Sequence, residues 1–124
     1  MLTAGIDIGS MTTKGAIVED GRVLATRVIF TGYNAGAAGE AVLSGLLESL
    51  RLERGRVDRV VATGYGRKAI PFAHATVTEI TCHAAGAHYL DPRVRAVIDI
   101  GGQDSKAIAL DPHGKVRDFA MNDK

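Results

Sequence analysis

The sequence predicts an α/β fold in which one strand–turn–strand unit is used twice. Residues 6–14 read Ile-Asp-Ile-Gly-Ser-Met-Thr-Thr-Lys, and residues 98–106 read Ile-Asp-Ile-Gly-Gly-Gln-Asp-Ser-Lys. After each copy come a second apolar run, a turn with glycine (Gly21, Gly114), a basic residue with a valine (Arg22-Val23, Lys115-Val116) and a third run. Between the copies, the apolar spacing changes from that of strands to that of a helix. Two widely separated copies do not make a solenoid, which stacks at least three short units. They predict two related lobes, each opened by a hairpin, and two such hairpins facing each other would hold a polyphosphate.

The elements follow in order. Residues 3–8 are a short apolar strand that runs into Gly9-Ser10, and residues 14–19 form the returning strand. Asp20-Gly21 is a two-residue hairpin signal, because both positions of such a turn need positive φ. Residues 22–30 make the third strand. From Asn34, a candidate N-cap, the residues Ala38, Val42, Leu43, Leu46, Leu47 and Leu50 recur at helical spacing. Gly36, Gly39 and Gly45 weaken that helix by up to about 1 kcal/mol each against Ala, so packing must hold it. Residues 59–63 (Arg-Val-Val-Ala-Thr) read as a buried strand parallel to the first. Residues 78–90 read as a second helix, capped by Thr78 and stopped at Asp91-Pro92.

Residues 94–100, 106–110 and 115–121 repeat the three-strand meander. Three antiparallel strands, a helix, a parallel strand and a helix constitute a ribonuclease-H-like lobe. The expected division is therefore 1–92 for this lobe and 93–124 for the first three strands of a second, similar lobe. With no helix following to cover them, those strands are expected to leave one apolar face bare, as in an N-terminal portion of a longer protein.

Composition excludes several function classes. The formal charge is +1, with 15 basic and 14 acidic residues interspersed, so nothing marks a nucleic-acid or acidic-membrane surface. Trp is absent and aromatics are scarce, which argues against a base-stacking platform. One cysteine, Cys82, excludes an internal disulfide framework and fits a reducing cytoplasm. No secretory leader is expected, and the sequence contains no apolar run of membrane-spanning length.

The chemistry concentrates in the two Asp-x-Gly turns. Each puts a carboxylate, Asp7 or Asp99, at a strand end beside a glycine that lets backbone N–H groups approach an anion. Residues 10–14 (Ser10, Met11, Thr12, Thr13, Lys14) with Gly9 are expected to cradle phosphates, and Gly101, Gly102 and Gln103 to approach them from the second copy. Thr12, Thr13 and Ser105 offer hydroxyls, and Lys14 and Lys106 offer charge. Asp7 and Asp99 would repel phosphate directly and suit the outer shell of Mg²⁺, which keeps several waters. A single such turn is more often only a hairpin; the duplication is what favours a nucleotide.

Two other motifs are weaker. Gly64-Tyr-Gly66-Arg-Lys-Ala69 follows a strand, but Pro71 would interrupt the helix that a dinucleotide fingerprint must open. It reads as a connection in which Arg67 is available for a contact. Cys82-His83, with His74 and His88, has no zinc spacing, and Cys82 reads as a structural residue on a packed helix face.

Gly-Ile-Asp-Ile-Gly-Ser near the start, Ala-Thr-Gly-Tyr-Gly-Arg at 62–67, Glu-Ile-Thr-Cys-His-Ala at 79–84, Val-Ile-Asp-Ile-Gly-Gly-Gln-Asp at 97–104 and Met-Asn-Asp-Lys at 121–124 occur in this order. Together they resemble the ATPase activators of 2-hydroxyacyl-CoA dehydratases and the related ATPase subunits of benzoyl-CoA reductase. These belong to the superfamily of actin, sugar kinases and heat-shock chaperones. The resemblance covers essentially the whole chain. It implies binding of ATP or ADP with Mg²⁺, and ATP hydrolysis that drives a low-potential electron from a 4Fe-4S cluster into a dehydratase or reductase partner. It also implies a cytoplasmic homodimer whose cluster bridges the subunits.

The family's cluster cysteines match positions beyond residue 124, so no iron–sulfur ligand is expected here, and this chain by itself is expected to be inactive. Asp7 and Asp99 would position Mg²⁺, while Gln103 or Asp104 would orient the attacking water. The alternatives are a small-molecule kinase of the same superfamily, with Asp99 as base, and a non-catalytic nucleotide-binding module.

Overall fold

A computed structural model describes residues 1–102 and 104–123. The chain forms two compact units, Met1–Val77 and Thr78–Lys124.

In the first unit β1 (Leu2–Ile8), β2 (Thr12–Glu19) and β3 (Arg22–Phe30) form an antiparallel meander. Asp20 and Gly21 both have positive φ, as their hairpin demands. Helix α1 (Ala35–Leu50) follows, and Asn34 caps it by accepting the Ala37 N–H at 3.0 Å. β4 (Arg59–Thr63) then lies parallel to β1, completing the order that the sequence pattern predicts. A further parallel strand, β5 (Ala75–Thr76), is two residues long and carries no readable period. β2 begins two residues earlier than predicted because Thr12 and Thr13 pair with Phe30 and Ile29.

Strand alternation builds the core. Leu2, Ala4, Ile6 and Ile8 of β1 are buried in one cluster with Ile17, Val42, Leu43, Leu46, Val60 and Ala62. Each of the Leu, Ile and Val side chains among them contributes about 1.5–3 kcal/mol on burial. α1 sits close because β2 carries Gly15, where any Cβ would collide with Val42 and approach Leu46 Cδ1 to 2.8 Å. The helix thus rests on contact with the sheet rather than on its glycine-weakened propensity.

In the second unit, helix α2 (Glu79–Leu90) is capped by Thr78, whose hydroxyl accepts the Thr81 N–H. It is followed by the meander β6 (Ala96–Ile100), β7 (Asp104–Leu110) and β8 (Val116–Asp123). Ala84 of α2 is buried with Ile108 and Leu110, and Ile80, Val94, Val97 and Val116 pack around them. The sequence division placed α2 at the end of the first lobe. By packing it is grouped with the second sheet, covering one face, so the meander is not left without a helix. The opposite face does lie bare, with Ile98 70% and Ile100 80% exposed beside Ala96, Ala107 and Ala109.

The repeat is structural as well as textual. Gly9 N–H donates to Thr12 O at 2.9 Å, and Gly101 N–H donates to Asp104 O at 2.8 Å. Asp7 pairs with Lys14 across the first hairpin, as Asp99 does with Lys106 across the second. Each meander also carries a bulge at the equivalent place, between Ile17 and Val18 and between Ala109 and Leu110. No helix among the described residues is long and apolar enough to cross a membrane.

Candidate functional site

The first turn is held from beneath. Thr31 Oγ1 donates to Gly9 O at 2.8 Å and lies 2.8 Å from Thr13 Oγ1. Since Thr31 has one hydroxyl hydrogen and spends it on Gly9, the Thr13 hydroxyl donates to Thr31. Thr13 is fully buried, on the same strand face as Gly15 and Ile17. Its hydroxyl is therefore a strut of the turn, where the sequence reading offered it to phosphate. Ser10 and Met11 are exposed at the tip. Thr31→Val keeps the shape but orphans the buried Thr13 hydroxyl and the Gly9 carbonyl, so it should destabilise the protein by about 1–3 kcal/mol. Chemical denaturation of the variant checks this, and an unchanged midpoint would refute the strut.

Lys14 Nζ donates to Thr12 O at 3.0 Å and to Thr12 Oγ1 at 3.3 Å, and lies 3.5 Å from Asp7 Oδ2. The other carboxylate oxygen, Asp7 Oδ1, is buried without a hydrogen-bond partner among the described residues, and so is the hydroxyl of Thr63 on the neighbouring strand. An orphaned buried carboxylate oxygen is costly unless a cation or water completes it. A hydrated Mg²⁺ fits that donor set, an anionic oxygen suited to bonding with metal-bound water.

The Gly64-Tyr65-Gly66 loop closes around the same carboxylate. Gly64 has φ +93°, and a Cβ there would collide with Asp7 Oδ1 and lie 2.5 Å from Ile8 O. Gly66 N–H donates to Ile8 O at 2.9 Å, and Arg67 Nη1 donates to Gly64 O at 3.0 Å. Arg67 therefore braces its own loop.

The second turn is built the same way but furnished differently. Gly101 and Gly102 are exposed, and Gln103 lies outside the described residues. Lys106 is almost completely buried, and its Nζ lies 3.0 Å from Asp99 Oδ2, 3.4 Å from Asp104 Oδ1 and 3.9 Å from Glu79 Oε2. His83 Nδ1 is 3.6 Å from Asp99 Oδ2. Burial pulls the Lys106 ammonium down, but the carboxylates outweigh it and hold its pKa above the ordinary lysine value. Thr31 was not singled out from sequence, and Glu79 and His83 entered there only within motifs, with no role at the Asp99 turn. No local pattern marks Thr31, whereas Glu79 and His83 share one helix face at i, i+4. Cys82, on the same helix, is half-buried rather than buried.

Comparison with known proteins finds close relatives. The activator of lactoyl-CoA dehydratase from Anaerotignum propionicum is 43% identical, over 100% of this chain and 48% of that protein. The activator of the 2-hydroxyisocaproyl-CoA dehydratase from Clostridium difficile, solved with bound ADPNP, superimposes with TM-score 0.91 at 40% identity, over 100% of this chain and 46% of its own. Component A of the (R)-2-hydroxyglutaryl-CoA dehydratase of Acidaminococcus fermentans gives TM-score 0.94 at 36% identity, over 100% and 48%. The chain thus spans about half the length of these relatives. The model of the BadF/BadG/BcrA/BcrD ATPase family matches residues 4–124, and this chain, with its paired Asp-x-Gly turns, belongs to that family.

Proposed function

We propose that residues 1–124 form the phosphate-binding portion of an ATP-hydrolysing activator of a 2-hydroxyacyl-CoA dehydratase or benzoyl-CoA reductase-type partner. The observation that carries this reading is the matched pair of turns, Gly9 to Thr12 and Gly101 to Asp104, in a chain so similar to dehydratase activators. As repeat units, residues 1–92 and 93–124 remain our division of the chain.

Ser10, Met11 and Thr12 offer backbone N–H groups, and Lys14 offers charge, to the nucleotide's phosphates, while Gly9, whose own N–H closes the turn on Thr12 O, leaves room for their approach. Thr13 acts from below, its backbone paired in the sheet and its hydroxyl holding the turn. Gly101, Gly102 and Gln103 serve the same end in the second copy. Asp7 and Asp99 are the carboxylates assigned to the waters of Mg²⁺. When bound, that ion neutralises charge developing on the phosphate oxygens. Gln103 or Asp104 orients the attacking water, and Asp104 already has one oxygen turned to Lys106. Hydrolysis then needs positioning and charge neutralisation more than covalent chemistry.

A 4Fe-4S cluster needs about four thiolates, and one cysteine does not fit it, so no step is assigned to Cys82. Cytoplasmic location and a homodimer bridged by a cluster are proposed by analogy with the family. The kinase alternative gains nothing from the family match.

Isothermal titration of the full polypeptide containing residues 1–124 with ADPNP tests the reading. We expect saturable one-to-one binding that weakens when Mg²⁺ is chelated, and phosphate release from ATP without any added acceptor. Absence of ADPNP binding would refute the nucleotide site, and turnover that requires a hydroxyl acceptor would restore the kinase alternative.

A further inference from the structure

We propose that Lys106 is an internal counter-ion that positions the Asp99 carboxylate, and that of the two matched lysines it is Lys14 that meets phosphate. This rests on the nucleotide-site reading above. The two lysines hold identical places in the repeat, each directly across its hairpin from the aspartate. Their surroundings differ. The Lys14 side chain is 38% exposed, Asp7 is its one ion pair among the described residues, and its other partners are the carbonyl and hydroxyl of Thr12. The Lys106 side chain is 2% exposed and faces Asp99, Asp104 and Glu79.

The change at one repeat position accounts for much of this. Where the first copy has Thr12, the second has Asp104, so a neutral pair of acceptors becomes a second carboxylate. Glu79, on the first turn of α2, adds a third. Three carboxylates around one ammonium leave the group net negative, so a phosphate approaching Lys106 would meet repulsion at short range. Among the described residues Lys14 has Asp7 alone as a carboxylate partner, and its side chain is open to an anion. At Asp99, by contrast, the ammonium at 3.0 Å fixes how the carboxylate lies, and His83 Nδ1 stands 3.6 Å away without a hydrogen bond among the described residues. Partners behind a metal-shell carboxylate set its orientation in this way.

Differential lysine acetylation with sulfo-NHS-acetate, read by peptide mass spectrometry on the full polypeptide containing residues 1–124, separates the two roles. A buried amine reacts only when its surroundings open, so Lys106 should acetylate about ten times more slowly than Lys14 without nucleotide. ADPNP with Mg²⁺ should then protect Lys14 and leave the Lys106 rate unchanged. Rapid acetylation of Lys106, with or without protection by ADPNP, would overturn the proposal. If Lys106 is slow and ADPNP protects neither lysine, the counter-ion assignment is supported and the nucleotide reading fails.

Kinetics provide the second arm. Lys106→Met should lower kcat about 10–100-fold, the usual cost of losing a partner behind a metal-shell ligand, and leave the ADPNP Kd within about threefold. Lys106→Arg should recover part of that rate by restoring the charge, whereas Lys14→Met should raise the Kd. A Lys106→Met variant with normal kcat and weakened ADPNP binding would make Lys106 a phosphate contact and refute the proposal.

Discussion

Asp7→Asn should lower kcat for Mg²⁺-dependent ATP hydrolysis by roughly 10²–10³-fold, the cost of one oriented charge-stabilising group. The variant keeps the shape of the side chain. Folding should suffer little, because the ion pair removed, Asp7 with Lys14 at 3.5 Å, is partly exposed and such pairs are worth about 0–1 kcal/mol. The group that changes most is Oδ1, buried and without a partner, whose replacement by an amide NH₂ would turn an acceptor for metal-bound water into a donor. Asp99→Asn should also slow turnover, but with a larger drop in melting temperature, since it withdraws the nearest carboxylate from buried Lys106. The measurement is kcat at saturating ATP on the full polypeptide, with melting temperature as control. Wild-type turnover in both variants would reduce the two Asp-x-Gly turns to hairpins.

Gly64→Ala should be the most damaging single-methyl change in the first unit, costing on the order of 2–5 kcal/mol from positive φ and collision together. The methyl would meet backbone, Ile8 O at 2.5 Å and Ile8 C at 2.8 Å, which cannot swing aside as a side-chain tip can. It would also press on Asp7 Oδ1, so any folded fraction should show reduced ATP turnover. Gly5→Ala is the matched control: it adds a methyl to β1, where no described atom beyond its chain neighbours lies within 4 Å, and should stay near neutral. Thermal melts of the pair decide the matter, and equal melting temperatures would mean that the loop has room that its backbone geometry denies.

These positions also show what the sequence discloses. Patterns confined to neighbouring residues were legible: the Asp20-Gly21 hairpin, the caps at Asn34 and Thr78, the helical spacing of Val42 and Leu46, and both meanders. The position of Thr13 was legible in principle, since alternation puts it on the face of Gly15 and Ile17, but a hydroxyl beside a glycine turn invites a ligand reading. What depends on partners distant in sequence was not legible. Thr31 reaches Gly9 across a whole meander, and Gly64 matters because of where Ile8 ends. Lys106 looks like Lys14 until α2 sets Glu79 beside it. For the same reason α2, adjacent in sequence to the first lobe, was grouped there although it packs with the second sheet.

The paired bulges have a consequence for how the two copies have diverged. The extra residue is Leu24 in one meander and Arg117 in the other, an apolar and a charged side chain at one backbone irregularity. The hairpin loops beyond it differ as well: two residues separate the paired Glu19 and Arg22, while three separate Asp111 and Lys115. Neither side-chain chemistry nor loop length, then, is what the bulge maintains. It resets the inside–outside phase of the third strand, because one unpaired residue exchanges the faces of all that follow. Sequence drift at the far end of each hairpin is thereby uncoupled from the end that carries the aspartate and the glycine turn. The two copies could lengthen, shorten or recharge their outer loops while the inner turns stayed in register.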